Sequence, residues 1–357
     1  MASHARSPVR IRTIDDLRTW LSAAMADARA SADPHDLTGL VETFERRLQR
    51  EAGARGWLAL EGEARAAFNF EVARADAPLI DTAATLVGPT LARYAPGLLP
   101  RVQAGEVTAC LAYTEAAAGS DLSAIETVAE ETDDGWTLRG AKVLVTGAHK
   151  ADWCVTIART NVDVPPREGM SMFMVDMRAT GVTVVRRETM NGWDLGDLHF
   201  DGAPADLLGE RDAGWRQLVS TVAAERSGMF WLGFARHVID LLAELVRRDD
   251  GPIARDELGR LEADWRAAEA LCWRAVRAPD DPVLPSIAKV VTTELLQDVA
   301  QTASELAGTA GVVWAPLFGD PAGRFAYEYL ERVHGTISVG ANEVQRDTIA
   351  RFGLGMQ

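Results

Sequence analysis

The hydrophobic period of this chain changes twice, and that double change constrains its architecture more than any single motif. From Ile14 to about Gly105, alanine-rich amphipathic stretches near 15–31, 35–52, 63–75 and 79–95 follow the helical period, broken at Asp33-Pro34 and at Asp76-Ala77-Pro78. Gly88-Pro89 is placed to kink or divide the last of these. Short runs of β type follow near 107–113, 124–131, 135–146, 153–159, 170–176, 181–188 and 197–200, separated by turns such as Asp133-Asp134-Gly135 and Pro165-Pro166-Arg167-Glu168-Gly169. Beyond Gly209 the helical period returns near 214–248, 253–277, 284–307 and 321–333, with a last helix near 341–352. The order α, then β, then α predicts an N-terminal helical domain over 1–105, a middle β-barrel or sandwich over 106–210 and a C-terminal helical domain over 211–357.

Bulk properties narrow the function. With 357 residues, 47% of them hydrophobic, the chain suits two or three packed units. Its formal charge of −15 disfavours nucleic acid and anionic membranes as partners. No run approaches the roughly 18 apolar residues of a membrane span, and Met1 to Thr13 carries no hydrophobic segment, so a cytoplasmic address is expected. Cys110, Cys154 and Cys272 are far apart in sequence and read as core thiols. The six histidines show no ligand spacing and no H-E-x-x-H or C-x-x-C occurs, so no metal site is expected. Trp215, Trp231, Trp265 and Trp273 on the C-terminal helices read as packing residues.

Two stretches carry chemistry. Tyr113-Thr114-Glu115-Ala116-Ala117-Ala118-Gly119-Ser120-Asp121 follows the apolar run from Val107 to Ala112, so a strand opens into a loop of small residues, hydroxyls and carboxylates. Such a loop lets backbone N–H groups and hydroxyls approach a flat or phosphorylated ligand, and it equally suits an ordinary strand-to-turn connection. The stretch from Gly135 to Gly147 reads as a strand, a turn and a second strand, ending in another small-residue loop with a hydroxyl. Two such loops are suited to lining one pocket.

With the α-β-α order, these loops resemble the acyl-CoA dehydrogenase family, whose first loop follows T-E-P-x-A-G-S-D and whose second follows G-x-K-x-W-I-T. The agreement continues through Leu198-His199-Phe200-Asp201, Leu207-Leu208-Gly209, Gly214-Trp215, and Glu225-Arg226 about three helical turns later. It extends to Glu305-Leu306-Ala307-Gly308-Thr309-Ala310-Gly311 and Gly340-Ala341-Asn342-Glu343-Val344-Gln345-Arg346. The resemblance implies an α+β fold ending in a four-helix bundle, with FAD between the β domain and the C-terminal helices. It also implies α,β-desaturation of an acyl thioester, CoA-linked or on a carrier protein: a carboxylate removes the α-proton and the β-hydrogen leaves as hydride to flavin N5.

The resemblance also implies roles for individual residues. Many members carry the base as a Glu directly before the glycine of the tail motif, where this chain has Val339. A smaller group carries it before an arginine on the first C-terminal helix, which makes Glu225 the expected base here. Arg226 is then expected to hold the helix or the polar arm of the substrate, Ser120 to face the thioester, and Gly340 to meet the substrate. Thr114 and Thr146 are the expected hydroxyl contacts to FAD, with backbone contacts from Leu111 and Tyr113 and with Gly119 and Ser120 in the same loop. Leu144 stands where the family has tryptophan; Arg247, Glu305, Gly308, Ala341 and Glu343 match further cofactor positions.

The departures are Ala116 for the motif proline, Leu144 for tryptophan, Asp250 for the phenylalanine of R-x-x-F-G, and Glu305 for glutamine. The N-terminal domain is shortened near Trp57-Leu58 and Glu61-Gly62. An electron-transfer flavoprotein is the expected acceptor, and a homodimer, homotetramer or mixed oligomer the expected assembly. Two other readings remain open: a non-catalytic subunit of a mixed oligomer, and a flavin monooxygenase on the same fold with His149 or His334 as base.

Overall fold

The computed structural model describes residues 11–31, 37–77, 86–190, 195–222, 227–248, 251–313 and 321–356. The chain divides into two compact units. One combines residues 1–48, 60–79 and 226–357; the other combines 49–59 and 80–225.

The second unit is built on a seven-stranded sheet. Its strands are β1 (Ala109–Ala112), β2 (Val128–Thr132), β3 (Gly135–Thr146), β4 (Trp153–Arg159), β5 (Met170–Asp176), β6 (Val182–Arg187) and β7 (Leu195–Leu208). The pairing path β1-β4-β2-β3-β7-β5 returns to β4 through an antiparallel β4–β5 ladder, so the sheet closes on itself, as the sequence predicts for the middle domain. β1 runs parallel to β4, and β6 adds to β7 outside the closed path. Buried Leu138, Val145, Phe173, Val175, Leu198 and Phe200 form its core, drawn from alternate positions on β5 and β7 and from β3 on both sides of a register shift. The strand, turn and second strand expected from Gly135 onward are instead the single strand Gly135–Thr146. β7 runs over 195–208, well beyond the predicted 197–200, because it pairs in turn with β3, β5 and β6 while outward Asp201, Pro204 and Asp206 interrupt the apolar pattern.

Short helices α4 (Gly88–Tyr94) and α5 (Leu99–Gln103) precede the sheet, and α6 (Gly214–Val222) follows it. Gly214 allows α6 to lie on β5: a Cβ there would stand 2.8 Å from the Ser171 carbonyl carbon.

The first unit is helical, with α1 (Ile11–Ser31), the first part of α2 (Leu37–Ala54), α3 (Gly62–Arg74), α7 (Met229–Arg248), α8 (Pro252–Arg277), α9 (Leu284–Leu306), α10 (Pro321–Glu331) and α11 (Asn342–Thr348). Trp231, Ala235, Val238, Ile239, Leu242 and Val246 recur on one face of α7 at three- and four-residue steps and pack with Leu261, Trp265 and Cys272 of α8 and Leu296 and Val299 of α9. The helix predicted over 214–248 is not continuous. Gly228 has φ 78, and a Cβ there would stand 2.9–3.0 Å from Thr292, Ala288 and Cys272, so α7 begins afresh at Met229. Among the described residues no helix is long and apolar enough to cross a membrane.

Candidate active site

The loop after β1 is held from beneath by a buried ion pair. Glu115 turns its carboxylate inward, where it accepts from Lys142 Nζ at 2.6 Å, from the Glu126 N–H at 2.6 Å and from the Thr127 N–H at 3.1 Å. The side chains of Lys142 and Glu115 are 0% and 6% exposed. Burial alone would push the Glu115 carboxyl up, but the Lys142 ammonium and the N–H donors outweigh it and hold the group below the usual carboxylate range. Removing one partner of such a pair strands a buried charge at a cost of about 3–5 kcal/mol.

Paired backbone hydrogen bonds between Glu115 and Ala118 tighten the loop, and Asp121 accepts from the Ser123 N–H at 3.0 Å. Gly119 and Ser120 are then left at the surface, Thr114 half-buried, and Leu111 half-buried on β1. A Cβ at Gly119 would meet nothing within 4 Å. Tyr113 points inward; its hydroxyl has no hydrogen-bond partner among the described residues, and burial pushes its pKa up.

The end of β3 forms the second loop and is joined to the first, because the Val143 N–H donates to the Thr114 carbonyl at 2.9 Å. The register against β7 shifts between Lys142 and Val145, and Leu144 in that bulge has φ 58. The left-handed conformation costs a leucine roughly 1–2 kcal/mol. It is fixed from behind by Asp197, which accepts from the Leu144 N–H at 3.2 Å and from Arg187. The bulge turns the leucine outward, leaving it 52% exposed next to half-buried Thr146. An apolar side chain held outward at the end of β3, on a segment bonded to the first loop with its open space over Gly119, fits the flat ring of a flavin.

In the helical unit, Glu225, Arg226 and Asp250 lie outside the described residues. Arg247 is exposed in the last turn of α7. Glu305 is exposed on α9 and accepts from Gln301 at 2.8 Å. Gly308, with φ 57, follows α9 as a left-handed helix stop. The tail motif begins with two left-handed residues, Val339 at φ 55 and Gly340 at φ 85, and a β-branched residue in that region is an outlier. Ala341 is buried just before α11, and Glu343 is exposed in its first turn. His334 packs edge-on against Trp231 at 5.1 Å, bonds through Nδ1 to the Glu331 carbonyl, and is pushed down to about 3 by burial.

Several arrangements have no obvious signature in the sequence. Lys142 shares inward parity with Leu138, the one available hint of a buried lysine on a strand. Lys289 likewise falls on the buried face of α9 between Ser286 and Thr293. Cys110 and Cys154, remote in sequence, are register partners across β1 and β4, where their mutual contact and burial push the Cys154 thiol up. Asp76, His237 and Glu328 come close enough to share an ion, yet both carboxylates already face Arg324 at 2.6 Å, and Glu328 also accepts from Arg332 at 2.5 Å. That cluster is a buried charge network.

Comparison with known proteins gives the family. Residues 110–203 match the acyl-CoA dehydrogenase middle-domain model, and residues 212–354 match the acyl-CoA dehydrogenase C-terminal-domain model. The acyl-CoA dehydrogenase IpdE1 of Mycobacterium tuberculosis is 31% identical over 329 residues, covering 86% of this chain and 83% of the relative. The acyl-CoA dehydrogenase FadE29 of the same organism is 30% identical, covering 80% and 79%. Among solved structures, the Tcur3481-Tcur3483 steroid acyl-CoA dehydrogenase superposes with a TM-score of 0.84 at 25% identity over 99% of both chains. The ChsE4-ChsE5 complex of Mycobacterium tuberculosis shares the fold, with a TM-score of 0.84 at 23% identity over 100% of both chains. The chain belongs to the acyl-CoA dehydrogenase family of FAD-dependent oxidoreductases.

Proposed function

We propose that this protein introduces an α,β double bond into a CoA-linked acyl thioester, with Glu225 as the base and Arg226 beside it steadying the helix or the polar arm of the substrate. The observation that carries the reading is the Val143-to-Thr114 hydrogen bond, which joins two sequence-remote motifs into one corner with Leu144 facing outward. Leu111, Tyr113, Thr114, Gly119, Ser120, Leu144 and Thr146 are the proposed cofactor contacts of the β-rich unit; Arg247, Glu305, Gly308, Ala341 and Glu343 are those of the helical unit. When bound, FAD supplies the oxidising power and accepts the hydride. The chain's own part is to hold the thioester with Ser120 and Gly340 and to take the α-proton at the Glu225 carboxylate.

The experiment is anaerobic addition of straight-chain, branched and ring-bearing acyl-CoA thioesters, with carrier-protein thioesters alongside, to the purified yellow protein. Bleaching of the flavin band is expected with at least one CoA thioester. Glu225→Gln is expected to keep the flavin and lose the bleaching. A colourless protein that takes up no FAD sinks the reading, and normal turnover in the variant removes Glu225 from it.

A mixed oligomer is the second reading. It is favoured by the exposure of Ile337, Phe352, Leu354 and Met356, at 60–73%, in the C-terminal part of the helical unit. Both structural neighbours named above are named for two components. Light scattering of the chain alone tests it: a stable homo-oligomer with full flavin content argues for self-association, as does turnover without a second chain. An electron-transfer flavoprotein is the proposed acceptor. The domain boundaries 1–105, 106–210 and 211–357 are proposed on the same footing, and limited proteolysis near 105 and 210 checks them.

A further inference from the structure

We infer that Lys289 is a positioning residue for the turn over 337–341, acting through Asn342 and the Thr336 carbonyl. The inference rests on the proposed role of Gly340 toward the substrate. Ser286, Lys289 and Thr293 lie three and four residues apart on the inward face of α9, each no more than 1% exposed. Lys289 Nζ donates to Asn342 Oδ1 at 2.7 Å and to the Thr336 carbonyl at 3.3 Å. Those two acceptors flank residues 337–341, so one ammonium grips the turn at both ends.

The rest of the stripe completes the grip. Asn342 donates through Nδ2 to Thr293 Oγ1 and to Glu294 Oε1, each at 3.1 Å. Gln345 donates to the Gly340 carbonyl at 3.1 Å, and Gln345 Oε1 accepts from Ser286 Oγ at 2.9 Å. Fixing the Gly340 carbonyl also fixes the peptide plane that carries the Ala341 N–H.

An apolar side chain at 289 would fill this helix face without the desolvation cost of a buried ammonium. What it would not supply is a donor for two carbonyl-type oxygens six residues apart, on either side of Val339 and Gly340, which both hold positive φ. Backbone so placed persists only where its surroundings over-determine it. Lys289 is therefore the side chain that converts an otherwise soft turn into a defined one. Contacts from this turn to a thioester carbonyl would strengthen as charge develops on that oxygen, so the effect of losing Lys289 belongs in kcat more than in KM.

The test compares Lys289→Met, the milder Asn342→Ser, and Thr292→Val as a control. Thr292 is buried on α9, and among the described residues it bonds only back to Ala288 and Lys289 of its own helix. In the cofactor-free protein, hydrogen–deuterium exchange over 336–345 should accelerate in the first two variants and stay unchanged in the control. In the loaded enzyme, kcat should fall about 10–100-fold with KM little moved and FAD released faster. Losses in the double variant Lys289→Met/Asn342→Ser should fall well short of additive. Unchanged exchange over 336–345 in both variants overturns the inference, as does a control that loses as much as they do. If wild-type flavin is bleached by no thioester, the functional reading fails, and the exchange result still decides whether Lys289 holds the turn.

Discussion

Two loops of this protein, one in each compact unit, are held in place by buried lysines, and they are held differently. In the β-rich unit Lys142 meets a full carboxylate, Glu115, which also takes two backbone N–H groups. In the helical unit two of the Lys289 hydrogen bonds go to neutral oxygens, a side-chain amide and a backbone carbonyl. The first arrangement concentrates its stability in one charge pair. The second spreads it over Ser286, Lys289, Thr293, Asn342 and Gln345, each contributing a modest bond. A charge pair is sensitive to pH and intolerant of losing one member, whereas a distributed network degrades in steps.

The largest break in that comparison should come from Lys142→Met. It leaves Glu115 buried without its cation and should cost about 3–5 kcal/mol in urea unfolding, while Glu115→Gln/Lys142→Met, which keeps an acceptor for the Glu126 and Thr127 N–H groups, should recover most of the loss. Ser286→Ala in the other network should cost only about 1 kcal/mol by the same measurement. Equal costs would erase the distinction.

Acid sharpens it further. The Glu115 carboxyl is held below its ordinary 4.5, so the pair contributes fully above that value and its contribution is lost as pH falls through the lower folded value. His334 adds an earlier slope: its imidazole is pushed from 6.5 down to about 3, so folding loses stability progressively between those values as the unfolded chain takes up the proton first. His334→Asn should flatten thermal-melt midpoints between pH 6.5 and 3, and Glu115→Gln/Lys142→Met should flatten them below 4.5.

Smaller effects attend the strained residues. Val339→Gly removes a β-branched side chain from a left-handed conformation and should change stability by less than about 1 kcal/mol, toward greater stability. Leu144→Ala, at a half-exposed position, should stay within about 0.5 kcal/mol of wild type in melting. It should nonetheless alter flavin fluorescence if the leucine meets the cofactor.

Much of the fold was legible because periodicity is local. The helical stretches 253–277 and 284–307 and the strands near 135–146, 153–159 and 170–176 recur in the structure within a residue or so at each end. The length of β7 was not, because backbone pairing with three partners extends it through residues whose own side chains face outward. Nor was the break at Gly228, which depends on Cys272 and Thr292 arriving from other helices. Of the site, the two loops were readable as motifs. The groups that shape them were visible only as residues within those motifs, since nothing in Glu115 or Lys142 alone says that they meet.

The α-β-α order, the family and the positions of the two small-residue loops are legible in the sequence alone, because each follows from patterns within a short stretch. Folding is what closes the first loop onto the second through Val143, turns Leu144 outward on a bulge, and makes Lys142 and Lys289 buried supports and not solvated charges. Burial and hydrogen-bond partnership are properties of chain segments brought together from far apart. A residue's identity sets which bonds it is able to make, and the packed neighbours decide which of them it makes.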